Sequence, residues 1–231
     1  MKIEHRELEN ALVLNKMHFI IGGILLILSF ILFFFPDMDR FISGLFYSQN
    51  SGFVLNKNFI VVVLHDTIPT IKIIYGFILL GIAIFKILID DVTKSLLFFT
   101  VLISLIVGPG IIVNNFLKDN FGRARPREIT EFGGIKEFSR PYVISDQCIK
   151  NCSFSSGHAA GGFSFASIAY IVSQKYSLCF FWLGLSFGFC VGIARIVQGA
   201  HFLSDVLASG GVVLLVNCLF MKLYLMHMQK K

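Results

Sequence analysis

The 231-residue chain is 55% hydrophobic and only 15% charged, with mean hydropathy +0.77 and formal net charge +6. A soluble domain carries about 25% charged residues, so this composition excludes a water-soluble protein and points to the bilayer core as solvent for a single domain, residues 1–231. The basic residues flank apolar runs and form no basic helix or base-stacking patch, which excludes nucleic acid as a partner; juxtamembrane basics are a general feature of membrane proteins.

A helix crosses the hydrocarbon core in about 20 mainly apolar residues. The first such run is 17–35, ended by Pro36-Asp37. It follows a polar leader and precedes no small-residue cleavage site, so it reads as a retained span rather than a signal peptide. Residues 37–58 carry Phe41, Leu45, Phe46 and Tyr47 at helical spacing, as an interfacial segment does. Asp37 and Asp39 stand where they can cap that segment.

The apolar run 59–64 is too short to span and is interrupted by His65-Asp66 and Pro69, which sets the start of the second span at residue 70, with its end at 89. The third span is 95–117, with a kink expected at Gly108-Pro109-Gly110. Asn114, Asn115 and Asn120 read as side chains that satisfy backbone near that kink. The fourth, fifth and sixth spans are 157–172, 177–196 and 204–226. The fold class is therefore all-α: a polytopic membrane protein of six transmembrane helices.

Six spans put both termini on one side. That side collects Lys2, Arg6, Lys16, Lys86, Lys94, Lys175, Lys222, Lys230 and Lys231, against Arg40, Lys57 and Lys72 opposite, so it is expected to be cytoplasmic. Between spans three and four, residues 127–150 mix charges of both signs and read as a lid or headgroup-contact loop that selects the lipid. Cys148 and Cys152 bracket the end of this loop, either as a short disulfide or as two free thiols. They have no second Cys/His pair at zinc-ligand spacing, while Cys179, Cys190 and Cys218 fall in apolar runs where a thiol packs as a small hydrophobe.

Three polar clusters stand out from this apolar background. The first runs from Lys118 to Arg125-Pro126, the second is Ser155-Ser156-Gly157-His158, and the third is Arg195, His201 and Asp205. The span count returns all three to the non-cytoplasmic side. Their chemistry suits phosphoryl transfer, which needs positive charge on the non-bridging oxygens, an in-line nucleophile and a proton for the leaving group. Lys118, Arg125 and Arg195 supply cations, and the amides of Ser156 and Gly157 at a helix start supply donors. His201, with Asp205 one helical turn on to orient it, is the nucleophile candidate; His158 is the general acid and then the general base. His5, His18, His65 and His227 read as interfacial or satisfied histidines, and Arg123 and Arg127 as either interface anchors or phosphate contacts.

These residues resemble the three-part signature of the type 2 phosphatidic acid phosphatase (PAP2) superfamily: Lys, six residues, Arg-Pro; Pro-Ser-Gly-His; and Ser-Arg, five residues, His, three residues, Asp. Lys118 to Pro126 matches the first part in full, Ser155 replaces the Pro of the second, and Ala194 replaces the Ser of the third. The resemblance implies a PAP2/haloperoxidase-like helical bundle and a phosphoric monoester hydrolase that works through a phosphohistidine without a metal or other cofactor. It implies phosphate binding by Lys118, Arg125, Ser156, Gly157 and Arg195, and catalysis by His201, His158 and Asp205.

Several phrases, among them Gly108-Pro109-Gly110, Gly122-Arg123-Ala124-Arg125-Pro126 and Asn151-Cys152-Ser153-Phe154, are most similar to the bacterial lipid A phosphatase branch. That branch implies removal of the 1- or 4′-phosphate of lipid A at the periplasmic face of the inner membrane. Phosphatases for undecaprenyl pyrophosphate or phosphatidylglycerophosphate, and a lipid phosphotransferase, use the same site and are the alternatives.

Overall fold

The computed structural model describes residues 5–230. Lys2 and Lys231, counted above for orientation, lie outside the described residues, as do the side chains of His5 and Arg6. Helices α1 (His5–Phe34), α2 (Asp37–Gly44), α3 (Phe59–Leu88) and α4 (Val92–Leu105) come first. Helix α4 continues as a π-helical segment, Ile106–Leu117, and a last α-turn, Lys118–Asn120. After the long loop come α5 (Gly157–Ser164), a 3-10 continuation (Phe165–Tyr170), α6 (Gln174–Val197) and α7 (Leu203–Gln229). The all-α expectation holds; the strands among the described residues, Tyr47–Ser48 and Gly52–Phe53, pair as one small antiparallel hairpin.

Among the described residues five helices are long and apolar enough to cross a membrane: Glu7–Phe34, Phe59–Leu88, Val92–Asn120, Gln174–Val197 and Leu203–Gln229. The expected fourth span is shorter than predicted, with eight α-helical residues and six 3-10 residues. That is about 24 Å of rise, less than the ~30 Å of a hydrocarbon core. It carries the chain from the level of the α7 start to that of Asn15 in α1. Its start bonds the start of α7 through Ser156 N–H and the Asp205 carbonyl, while at its end Tyr170 donates to Asn15 of α1. Asn10 of α1 donates to Ser177 of α6, whereas Ser29 near the other end of α1 donates to the Ser204 carbonyl. The first residues of α1 also pack with the last of α7, where Leu8 and Ala11 meet Tyr224 and Leu225.

The predicted break at His65-Asp66 and Pro69 is not there. Helix α3 is continuous for 30 residues and starts eleven residues before the expected span, with Asn58 as its N-cap. His65 and Asp66 satisfy each other within the helix, so the polar pair does not end it. The expected distortion at Pro109 does occur. Proline lacks the N–H that an α-turn needs, and the backbone widens into the π-helical segment instead. Asn114 donates to the Pro109 carbonyl at 2.7 Å and Asn120 to the Phe116 carbonyl, the backbone roles expected of them.

The main core lies where α1, α5, α6 and α7 meet, around Leu14, Leu25, Phe163, Phe181, Val206 and Leu214. A Cβ at Gly188 of α6 would sit 2.3 Å from the Phe163 ring, so the small residue is what lets α5 and α6 close on each other.

Candidate active site

The start of α5, the loop between α6 and α7, and the segment after the π-helix converge at one end of the bundle. Gly122 makes the turn out of the first cluster at φ +58°, a left-handed conformation, with its Cα so close to the Ser145 carbonyl that a Cβ would lie 1.8 Å from it. Gly157 opens α5 against the π-helical segment. A Cβ there would fall 2.1 Å from Asn114 Oδ1, and Asn114 is itself tied to Pro109. Gly157→Ala should therefore displace Asn114 and the helix start together. The expected result is a loss of about 1–3 kcal/mol in stability, typical of overpacking, with a clear fall in turnover, checked by thermal melting and activity on the same detergent preparation.

His201 is fully buried between α6 and α7. Its Nδ1 lies 2.7 Å from the Ser153 carbonyl, which can only accept, so Nδ1 carries the proton and Nε2 keeps its lone pair. No protein group among the described residues bonds Nε2. Burial holds the imidazole well below its ordinary range, at about 3, against the opposing pull of Asp205, so the neutral form prevails at physiological pH.

Asp205 does not orient His201 in the way its spacing suggested. Its Oδ2 is 3.6 Å from Nδ1, beyond hydrogen-bond length, and the carboxylate is already occupied. Oδ2 accepts from Ser153 Oγ at 2.5 Å and from the Phe202 amide at 2.8 Å, and Oδ1 accepts from Arg123 Nη1 at 2.6 Å. Ser153 is thus the link: its hydroxyl binds Asp205, its carbonyl binds His201, and its amide donates to the Arg123 carbonyl at 2.8 Å.

Arg123 is a buried structural cation rather than an interface anchor or a free phosphate contact. It is 0% exposed and bonds Asp39, Asp205, Ser204 and the Ser139 carbonyl, with its guanidinium 4.1 Å above the Phe202 ring. Asp39, expected as a cap of the interfacial helix, is instead the fully buried far end of this Asp39–Arg123–Asp205 triad. It also accepts from the amide and hydroxyl of Ser204. Burial pushes the Asp39 carboxyl up, against the pull of Arg123. Asp37 pairs with Arg40 and caps nothing. Sequence reasoning missed Asp39, Ser153 and Ser204; the available signal was a charged and two hydroxyl residues set among apolar neighbours.

The other cations are differently placed. Lys118, Arg125 and Arg195 form no ion pair among the described residues, although Lys118 and Arg195 are buried. Arg195 bonds Gln198 through Nη1 and leaves its buried Nε unpartnered; Arg125 donates to the Asn151 carbonyl at 2.8 Å. The three lie within electrostatic reach of one another, and Lys118, Arg195 and His201 all bear on His158. Burial, with Arg127 nearby, holds the Arg125 guanidinium below its ordinary pKa. A group of cations without direct ion pairs beside a free imidazole nitrogen is an arrangement that can hold an oxyanion. The Ser156 hydroxyl accepts from the Ala159 amide at 3.4 Å and so serves as the N-cap of α5, while the first amides of that helix point out of its N-terminus as donors. Ser155, also at this turn, has a buried hydroxyl with no partner among the described residues.

Arg127 is exposed, and its amide donates to the Gly199 carbonyl. His18 is a fully buried core residue whose Nδ1 meets the Leu14 carbonyl and the Tyr170 hydroxyl, while its Nε2 has no partner among the described residues. His65, expected as interfacial or satisfied, is bonded to Asp66, and its ring also stacks on that of His158. Cys148 and Cys152 are joined by a disulfide with their Cα atoms 5.6 Å apart. The disulfide loop, with Arg125, Glu128, Lys136 and Gln147, lines an open polar bowl of about 550 Å³. That bowl includes Arg125 but neither active-site histidine, so it adjoins the buried cation pocket rather than forming it. Among the described residues no group of three His, Cys, Asp or Glu is arranged to hold a metal ion.

Residues 94–229 match the PAP2 superfamily, a stretch that includes all three clusters. The chain is 33% identical over 201 residues to the lipid A 4′-phosphatase of Francisella tularensis subsp. novicida (strain U112), covering 84% of this chain and 90% of that protein. The lipid A 4′-phosphatase of Rhizobium leguminosarum is 35% identical over 105 residues, 45% of this chain and 44% of that one. That of Rhizobium etli is 36% identical over 105 residues, 45% of this chain and 40% of its own. No solved structure matches.

Proposed function

The chain belongs to the PAP2 superfamily, and from that premise we propose that it is a single-domain phosphatase of the bacterial inner membrane that removes the 4′-phosphate of lipid A. The observation that carries this reading is His201. Its Nδ1 proton is committed to a backbone carbonyl and its Nε2 is unpartnered, beside cations that form no ion pair among the described residues.

Lys118, Arg125 and Arg195 hold the phosphate oxygens, with the α5 amides from Gly157 onward and the turn capped by Ser156. His201 Nε2 attacks phosphorus in line as the P–O bond to the sugar breaks. His158 gives its proton to the departing oxygen. It then takes a proton from water, whose oxygen attacks the phosphohistidine; the P–N bond breaks and phosphate leaves. Asp205 acts through Arg123 and Ser153, keeping the loop that presents His201 in place. The choice of lipid A rests on the relatives, of which the Francisella protein covers most of this chain. The polar bowl beside Arg125, with donors and acceptors of both charges, suits a sugar headgroup. An apolar groove of about 480 Å³ lined by Lys72, Gly76, Leu105, Gly110 and Asn114 suits acyl chains, and Asn114 adjoins Gly157.

The site faces the periplasm and both termini face the cytoplasm. Two features support this orientation. Lys16, Lys86, Lys94, Lys175, Lys222 and Lys230 gather at the end of the bundle away from the site. The Cys148–Cys152 disulfide lies at the site end, as an oxidising compartment favours.

The test is purified protein in detergent given lipid A that carries both phosphates, with fragmentation mass spectrometry of the product. Loss of the 4′-phosphate alone is expected, at a rate unchanged by EDTA because side-chain cations neutralise the charge. Loss of the 1-phosphate, or a marked preference for undecaprenyl pyrophosphate or phosphatidylglycerophosphate, would overturn the assignment.

A further inference from the structure

Helix α3 carries one polar pair that the mechanism above does not use. The His65 imidazole stacks on that of His158 with ring centroids 4.7 Å apart and planes inclined by 21°. Its Nδ1 lies 2.6 Å from Asp66 Oδ1. Asp66 also bears electrostatically on Arg195. The pair lies about two turns into α3, at the end of the helix that meets the start of α5, with Val61 to Leu64 before it and Ile68 after it.

The geometry supplies a role for it. A ring stacked face to face leaves its neighbour only its edge for proton transfer, and turning that neighbour about χ2 means breaking the stack. The groups facing His158 from the other elements are Lys118, Arg195 and His201. Asp66 accepts from His65 Nδ1 and so holds the His65 ring in the orientation that the stack requires.

We propose that His65, anchored by Asp66, is a positioning residue that fixes the plane of the His158 ring for protonation of the leaving group. This rests on the reading of His158 as the general acid, and the test separates the two. Kinetics are measured on lipid A, whose sugar alkoxide needs a proton to leave, and on 4-nitrophenyl phosphate, whose leaving group departs as the anion. His65→Ala should lower kcat on lipid A about tenfold or more, part of the ~10²–10⁴ that a general acid contributes. KM and the first-turnover burst of 4-nitrophenolate, which precedes the hydrolysis step that also uses His158, should change little. His65→Phe, which keeps a ring to stack, should recover most of the loss, and Asp66→Asn should give a smaller loss of the same kind.

A loss in the aryl-phosphate burst equal to the loss on lipid A would make His65 merely structural and overturn the proposal. So would an unchanged rate on lipid A, or a loss that phenylalanine does not restore. A wild-type protein that hydrolyses neither substrate would instead remove the phosphatase reading itself.

Discussion

His201→Ala is expected to lower phosphate release from lipid A by at least about a thousandfold, the scale on which losing a covalent nucleophile acts. The protein should still fold. Among the described residues His201 Nε2 bonds no protein group, and the side chain makes one hydrogen bond, to the Ser153 carbonyl. The Asp39–Arg123–Asp205 triad that shapes the loop does not include it. Purified variant and wild type should therefore give the same elution profile and nearly the same melting temperature, with turnover lost only in the variant. Because burial keeps His201 neutral down to about pH 3, the loss should be present across the whole physiological range and not merely where an ordinary imidazole titrates.

Arg123→Ala should fail for the opposite reason. Arg123 is 0% exposed and sits between two carboxylates that are also 0% exposed. Its removal leaves Asp39 and Asp205 facing each other without a counter-charge, and breaking a buried ion network this way costs about 3–5 kcal/mol. For a chain of this size that is a fall of ~10 °C in melting temperature. Activity should fall with it, since the Ser153 carbonyl that holds His201 is placed by the same network. Arg123→Lys keeps the charge but loses the fork that reaches both carboxylates, and should fall between the two. A variant that melts like wild type yet loses activity would mean that Arg123 touches the phosphate, contrary to its bonding here.

The three clusters were legible in the sequence because their spacing is short and their residue types are rare beside apolar spans. Lys118, Arg125, His158, Arg195, His201 and Asp205 do meet at one end of the bundle, and the long apolar runs in 17–35, 95–117, 177–196 and 204–226 are helices. What supports the clusters was not legible. Arg123 finds Asp39 and Asp205 at separations of 84 and 82 residues, and nothing local distinguishes it from Arg127, which is exposed. Asp205 looked like the partner of His201 because one helical turn separates them, yet a backbone carbonyl took the Nδ1 proton, and backbone acceptors leave no trace in a sequence.

Polarity also misled where it was satisfied by tertiary contact. His65-Asp66 read as the end of an apolar run, but His65 is paired within the helix and stacked on His158, so α3 passes through it. The expected fourth span is a short helix packed inside the bundle, where protein rather than lipid surrounds it and hydropathy over twenty residues is a poor guide.

The account stands on His201 Nε2 becoming bonded to phosphorus. The most direct measurement is to mix the protein with lipid A labelled with ³²P at the 4′-position, quench within the turnover time, and locate the label on the protein. The expected result is an acid-labile, base-stable phosphoenzyme with its label on the peptide containing His201, absent from His201→Ala. Steady release of phosphate by wild-type protein with no labelled enzyme at any quench time, or with the label on another residue, would contradict it.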